Sequence, residues 1–128
     1  MNNVPYTQLQ PHNAFIIDDE MDICYLLSSV LKQKKIFTES ANTLHEAEIA
    51  LESKYPEIIF LDNYLPDGLG INFIQRIKKD HPLSKIIMVT AHDTQADRDK
   101  ALEAGADYFM GKPFSREMVN KVVETFKV

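Results

Sequence analysis

Five short strand-like runs, four of them almost wholly apolar, recur along the chain with room for one helix after each. They are Ala14–Ile17, Ile36–Ser40, Ile58–Leu61, Ile86–Val89 and Tyr108–Met110. The segments that follow carry helical spacing: Asp22 to about Gln33, Thr43 to Lys54, Ile71 to Lys79, about Thr94 to Ala104, and Ser115 to about Phe126. In the first of these, Ile23, Leu26, Leu27, Val30 and Leu31 fall on one side of a helix. Strands apolar at nearly every position are buried on both faces, which alternating helices achieve around a parallel sheet. Right-handed crossovers then favour a doubly wound α/β fold, a five-stranded parallel sheet of order 2-1-3-4-5. Local signals agree. Thr43 with Glu46 forms a capping box, Gly105 suits a helix C-terminus, and Ser115 suits an N-cap. Pro66-Asp67-Gly68 marks a turn, with Asp67 placed to cap the third helix.

One such sheet accounts for residues 13–128, leaving 1–12 as a flexible polar lead. At 128 residues, 45% apolar and 26% charged, the chain has the makeup of one soluble domain. Its 14 basic and 19 acidic residues are interleaved, so no basic stripe offers itself to nucleic acid. The lead has neither the basic cluster nor the apolar stretch of a signal peptide, and no apolar run reaches membrane-span length. The single cysteine, Cys24, sits in an apolar helical run and reads as a packed core thiol of a reducing compartment. These features predict a cytoplasmic domain that touches neither membrane nor nucleic acid.

The strands end on residues with chemistry to offer. The first delivers Asp18 and Asp19, the third Asp62, the fourth Thr90 and the fifth Lys112. In the order 2-1-3-4-5 the first and third strands are neighbours, and ligands bind at the carboxyl ends beside that switch point. Taken singly, the Asp pair is a turn or helix cap, Thr90 a strand-end residue and Lys112 a solvated charge. Their joint placement carries the reading. Three clustered carboxylates repel unless a cation lies among them. With no His/Cys cluster, hard oxygen ligands suit Mg²⁺, with Mn²⁺ as a substitute. Lys112 adds an ammonium and Thr90 a hydroxyl for phosphoryl oxygens. The predicted chemistry is phosphoryl transfer onto Asp62, a covalent strategy open to carboxylates.

Five fragments stand in order at these strand ends: Phe15-Ile16-Ile17-Asp18-Asp19-Glu20, Ile59-Phe60-Leu61-Asp62, Leu65-Pro66-Asp67-Gly68, Val89-Thr90-Ala91, and Gly105-Ala106-Asp107 before Lys112-Pro113-Phe114. Through them, over about Asn13 to Phe126, the chain resembles the receiver domain of bacterial two-component response regulators. The resemblance implies a flavodoxin-like receiver fold in which Asp62 takes a phosphoryl group from the phosphohistidine of a sensor histidine kinase or phosphotransfer protein. It implies a metal held by Asp19, Asp62 and the backbone carbonyl of Tyr64, with Asp18 acting through a metal-bound water. It further implies a cis Lys112–Pro113 bond turning the lysine to the pocket, a switch through Thr90 and Phe109, and a rim of Tyr64 and His92 that admits or excludes water. Phe109 stands where the family often has tyrosine, so it reports only by packing inward, while Tyr108 faces the other side of the sheet. Helix four, strand five and helix five form the expected surface for a homodimer or partner, with Asp97, Arg98, Lys100 and Arg116 as candidates.

The favoured function is a Mg²⁺-dependent phosphorylation switch acting on a partner or output domain. Such a domain is not an enzyme in the metabolic sense, since it aids only its own phosphorylation and slow dephosphorylation. Two alternatives stay open. One is a degenerate receiver serving as an unphosphorylated docking module. The other is an aspartate-nucleophile phosphohydrolase, against which Tyr64 stands where a second acid is usual. A flavin or nucleotide binder would need a glycine-bearing loop, and Asp18 to Asp22 has none. His12, His45 and His81 are expected at the surface.

Overall fold

A computed structural model describes residues 12–126; apart from His12, the expected N-terminal lead lies outside the described residues. Strand and helix alternate throughout: β1 (Asn13–Ile17), α1 (Met21–Gln33), β2 (Phe37–Ala41), α2 (Leu44–Leu51), β3 (Ile58–Asp62), α3 (Ile74–Asp80), β4 (Lys85–Thr90), α4 (Gln95–Ala104), β5 (Tyr108–Gly111) and α5 (Arg116–Glu124). The strands form one parallel sheet of order β2-β1-β3-β4-β5, as the sequence predicts.

Consecutive strand residues alternate between two cores because side chains point to opposite faces of a strand. Phe15, Ile17, Ile59, Leu61 and Met88 pack with Ala47, Leu51, Ile74, Ile77 and Ala101 of α2, α3 and α4. Ile16, Phe60, Ile87 and Val89 pack with Leu27, Val30 and Leu31 of α1 and Val119, Val122 and Val123 of α5. β3 lies at the centre and is buried at every position. Helix ends follow their capping residues. Thr94 and Ser115 accept from Asp97 and Met118 amides at 3.1 and 3.2 Å, and α4 stops on Gly105 at φ 116°. Among the described residues, no helix is long and apolar enough to cross a membrane.

The structure departs from the sequence reading in several places. β2 begins one residue late, because the Ile36 amide closes onto the Leu31 carbonyl at 2.9 Å and Ile36 itself is buried. Helix two ends at Leu51, well before Lys54. Its capping box is displaced: Thr43 Oγ1 accepts from the Glu46 amide at 3.0 Å, but the Glu46 carboxylate accepts from Asn42 rather than from Thr43. The third helix starts only at Ile74, after a 3-10 turn over Gly70–Phe73. Asn63 Oδ1 accepts from the Ile71 amide at 2.9 Å, which ties the start of that turn to the loop. Asp67 does not cap that helix; it accepts from Leu44 and His45 at the start of α2, at 2.8 and 2.9 Å. His81 is buried rather than at the surface, its ring 4.9 Å from that of Tyr55.

Candidate functional site

The parallel pairing of β1 with β3 sets Ile17 opposite Leu61, so the next residues, Asp18 and Asp62, emerge together at the carboxyl edge. Both are buried, at 2% and 4% exposure. β4 ends beside them at Thr90, which is also buried. The Lys112 amide donates to the Thr90 carbonyl at 2.8 Å, extending the β4–β5 ladder and bringing the lysine to the same edge. Lys112 Nζ then lies 3.0 Å from Asp18 Oδ2, 3.2 Å from Glu20 Oε1 and 3.6 Å from Asp62 Oδ2. The Lys112–Pro113 bond is cis.

Asp18, Glu20 and Asp62 offer carboxylate oxygens that all lie within 4.8 Å of one another. Asp19 is exposed and stands outside this group. Glu20 was not singled out from sequence, although it follows Asp18 by two positions. Asp18 Oδ1 accepts from the Glu20 amide at 2.8 Å, and that turn aims both carboxylates at the ammonium.

Burial, then the charge of Asp18, pushes the Asp62 carboxyl up to about 6. Asp18 is also raised: burial outweighs the Glu20 amide and Lys112, which favour its charge. Burial opposes the Lys112 charge, but the hydrogen bond to Asp18 and the fields of Asp62 and Asp18 prevail and raise its pKa. Cys24 donates its thiol to the Asp18 carbonyl at 3.4 Å, and burial pushes that thiol up to about 11, which disfavours the thiolate.

Around this charged centre sit the remaining candidates. Thr90 Oγ1 accepts from the His92 amide at 3.3 Å. The rings of Tyr64 and His92 pack at 4.5 Å, and both residues are exposed. Phe109 is buried in the core with Met88 and Ala101, while Tyr108 is exposed. The Arg98 guanidinium lies 5.3 Å above the Phe109 ring and is held by Asp93 at 2.6 and 3.0 Å. The hydrogen bonds from Arg98 lower the pKa of Asp93, and those to Asp93 raise that of Arg98. Of the outer surface candidates, Asp97 and Lys100 line a cavity with Tyr64, Thr90 and Phe109. Arg116 instead reaches Ser29 and Gln33 of α1, at 3.1 and 3.4 Å.

The arrangement matches known proteins over most of its length. The pattern of the response regulator receiver domain covers residues 14–124. The response regulator PilR of Pseudomonas aeruginosa is 36% identical over 112 residues, 88% of this chain and 25% of PilR. The phosphate regulon transcriptional regulatory protein PhoB of Escherichia coli K12 is 34% identical over 110 residues, 84% of this chain and 48% of PhoB. The chain thus spans half or less of the length of these relatives. The solution structure of the beryllofluoride-activated NtrC4 receiver domain dimer superposes with a TM-score of 0.84 at 35% identity, covering 89% of this chain and 94% of that one. By sequence and by fold, the chain belongs to the response regulator receiver domain family.

Proposed function

We propose that Asp62 accepts a phosphoryl group from the phosphohistidine of a sensor histidine kinase or phosphotransfer protein, and that this switches a partner or output domain. The observation carrying this reading is the buried meeting of Asp18, Asp62 and Lys112 at the ends of β1, β3 and β5. Above about pH 6 the Asp62 carboxylate is ionised and nucleophilic. Its oxygen forms the new O–P bond while the donor's P–N bond breaks, the electron pair staying on the imidazole nitrogen. Lys112 and Thr90 each bind a phosphoryl oxygen, an ammonium and a hydroxyl for developing negative charge. Hydrolysis reverses the modification: water attacks phosphorus, the O–P bond breaks and inorganic phosphate leaves. The Tyr64 and His92 rings limit entry of that water. Thr90, drawn toward the phosphoryl group, carries the change to Phe109.

The donor set is wholly oxygen, and the charge of Asp18 adds to burial in raising Asp62, which suits a hard divalent cation such as Mg²⁺, or Mn²⁺ in its place. Asp19, Asp62 and the Tyr64 carbonyl would hold it, with Asp18 acting through a bound water, and Glu20 lies close enough to Asp18 and Asp62 to add an oxygen. When bound, it supplies neutralisation of charge on the phosphoryl oxygens. The activated NtrC4 receiver is a dimer, which supports a homodimer or partner contact here, assigned to α4, β5 and α5.

Incubation with Mg²⁺ and acetyl phosphate, followed by intact mass, tests the reading. One added phosphoryl group, absent in Asp62→Asn, is expected. No gain under any condition would leave a docking module, and rapid turnover of unrelated phosphomonoesters would indicate a hydrolase.

A further inference from the structure

The loop after β3 is tied down at two points, and one of them lies on a different helix. At its base, Asn63 accepts from the Gly70 amide through its carbonyl and from the Ile71 amide through its side chain, at 2.8 and 2.9 Å. Between base and tip, Tyr64 pairs with Leu69 and Leu65 with Gly68 in a short antiparallel hairpin. At the tip, both Asp67 carboxylate oxygens accept amides of the first turn of α2, from Leu44 and His45. Gly68, at φ 151°, rests against Leu44: a Cβ built there would lie 3.1 Å from Leu44 Cδ1. These amides hold the Asp67 carboxyl below its ordinary range.

α2 has its own cap in Thr43, which takes the Glu46 amide, so its first turn is satisfied by two separate residues. The hairpin, in contrast, has a two-residue ladder, held inward by the buried Leu65 and at its base by Asn63, and short hairpins do not stand alone. Its inner strand carries Tyr64, whose carbonyl is a proposed cation ligand and whose ring packs on His92.

We infer that Asp67 is a positioning residue that clamps the hairpin tip to α2 and so fixes the backbone of Tyr64 beside Asp62. The inference rests on the proposed cation site beside Asp62. It assigns the clamp to the affinity of the pocket for a divalent cation rather than to the transfer step itself.

The test compares wild type, Asp67→Ala and Asp67→Asn, the last keeping one acceptor oxygen. Mg²⁺ titration is followed by amide NMR, with hydrogen exchange and acetyl-phosphate labelling in parallel. In Asp67→Ala the Mg²⁺ concentration at half-saturation is expected to rise about tenfold, the scale found for residues that orient metal ligands. Exchange should quicken at Tyr64–Leu69 but not at Glu46, and saturating Mg²⁺ should restore the labelling rate. Asp67→Asn should fall between. Faster exchange with unchanged Mg²⁺ affinity would overturn the inference and leave Asp67 a plain helix cap. If Asp67→Ala does not fold, wild-type Mg²⁺ affinity in Asp67→Asn overturns it equally. A wild type that binds Mg²⁺ but gains no phosphoryl group would instead defeat the phosphorylation reading and leave the clamp standing.

Discussion

Asp62→Asn should make the metal-free domain more stable while abolishing its chemistry. The Asp62 carboxyl is raised from 3.8 to about 6, by burial first and by the Asp18 charge second. At about 1.4 kcal/mol per unit, keeping this group ionised costs the fold about 3 kcal/mol at neutral pH. Asparagine has nearly the same shape and no charge. The shift is already net of the attraction to Lys112, so the gain is about 3 kcal/mol. For a domain of this size that is roughly 10 °C in melting temperature.

The sign with pH is fixed by linkage. Between pH 3.8 and about 6 the folded wild type holds a proton on Asp62 that the unfolded chain has released, so wild-type stability declines as pH rises through that window. The variant lacks this decline. Thermal unfolding in chelator at pH 7.5 and at pH 4 should show the variant ahead at the higher pH, with the gap closing at the lower one. Mg²⁺ should stabilise wild type at pH 7.5, by about 1.4 kcal/mol at ten times its Kd, and the variant less. A variant that melts at or below wild type at pH 7.5 without metal would refute the account, as would a gap independent of pH.

Three further substitutions test other parts of the site. Lys112→Met removes the ammonium between two buried carboxylates; Asp62 should titrate above about 6 in NMR, and stability at pH 7 should drop by about 3 kcal/mol, recovering on acidification. Gly70→Ala places a Cβ against the backbone carbonyl of Asp62, which cannot swing aside; a loss of about 3 kcal/mol in denaturant unfolding is expected, together with loss of labelling. Arg98→Ala removes the guanidinium from the Phe109 ring; melting should change little, but the Phe109 ring resonances should shift and respond differently to beryllofluoride.

The sheet was legible because it is built from chemistry that a linear sequence displays. Runs such as Ile58–Leu61 can only be central strands, and their polar successors, Asp62 among them, must gather at one edge. What stayed hidden depends on contacts between distant residues. Asp67 sits in a turn and resembles a local cap, yet its acceptors' partners lie 22 and 23 positions away. His81 is polar and follows a helix, yet Tyr55 covers it. Glu20 was hidden for a subtler reason: Asp19 and Glu20 are both acidic, and only the turn closed by Asp18 decides which one faces Lys112.

That turn also accounts for the charge of the pocket. Three carboxylates, Asp18, Glu20 and Asp62, face one ammonium, Lys112, leaving two negative charges when all are ionised. Asp62 feels both burial and that crowding: burial raises it first and the Asp18 charge second, and Lys112 offsets only part of the two. Two unbalanced negative charges are what a divalent cation neutralises, so the donor count and the charge count point to the same class of ion. A phosphoryl group on Asp62 would bring negative charge back into the balanced site. Lys112 is shared among Asp18, Glu20 and Asp62, so in the proposed function a neutral donor, the buried Thr90 hydroxyl, has to share that added charge with it.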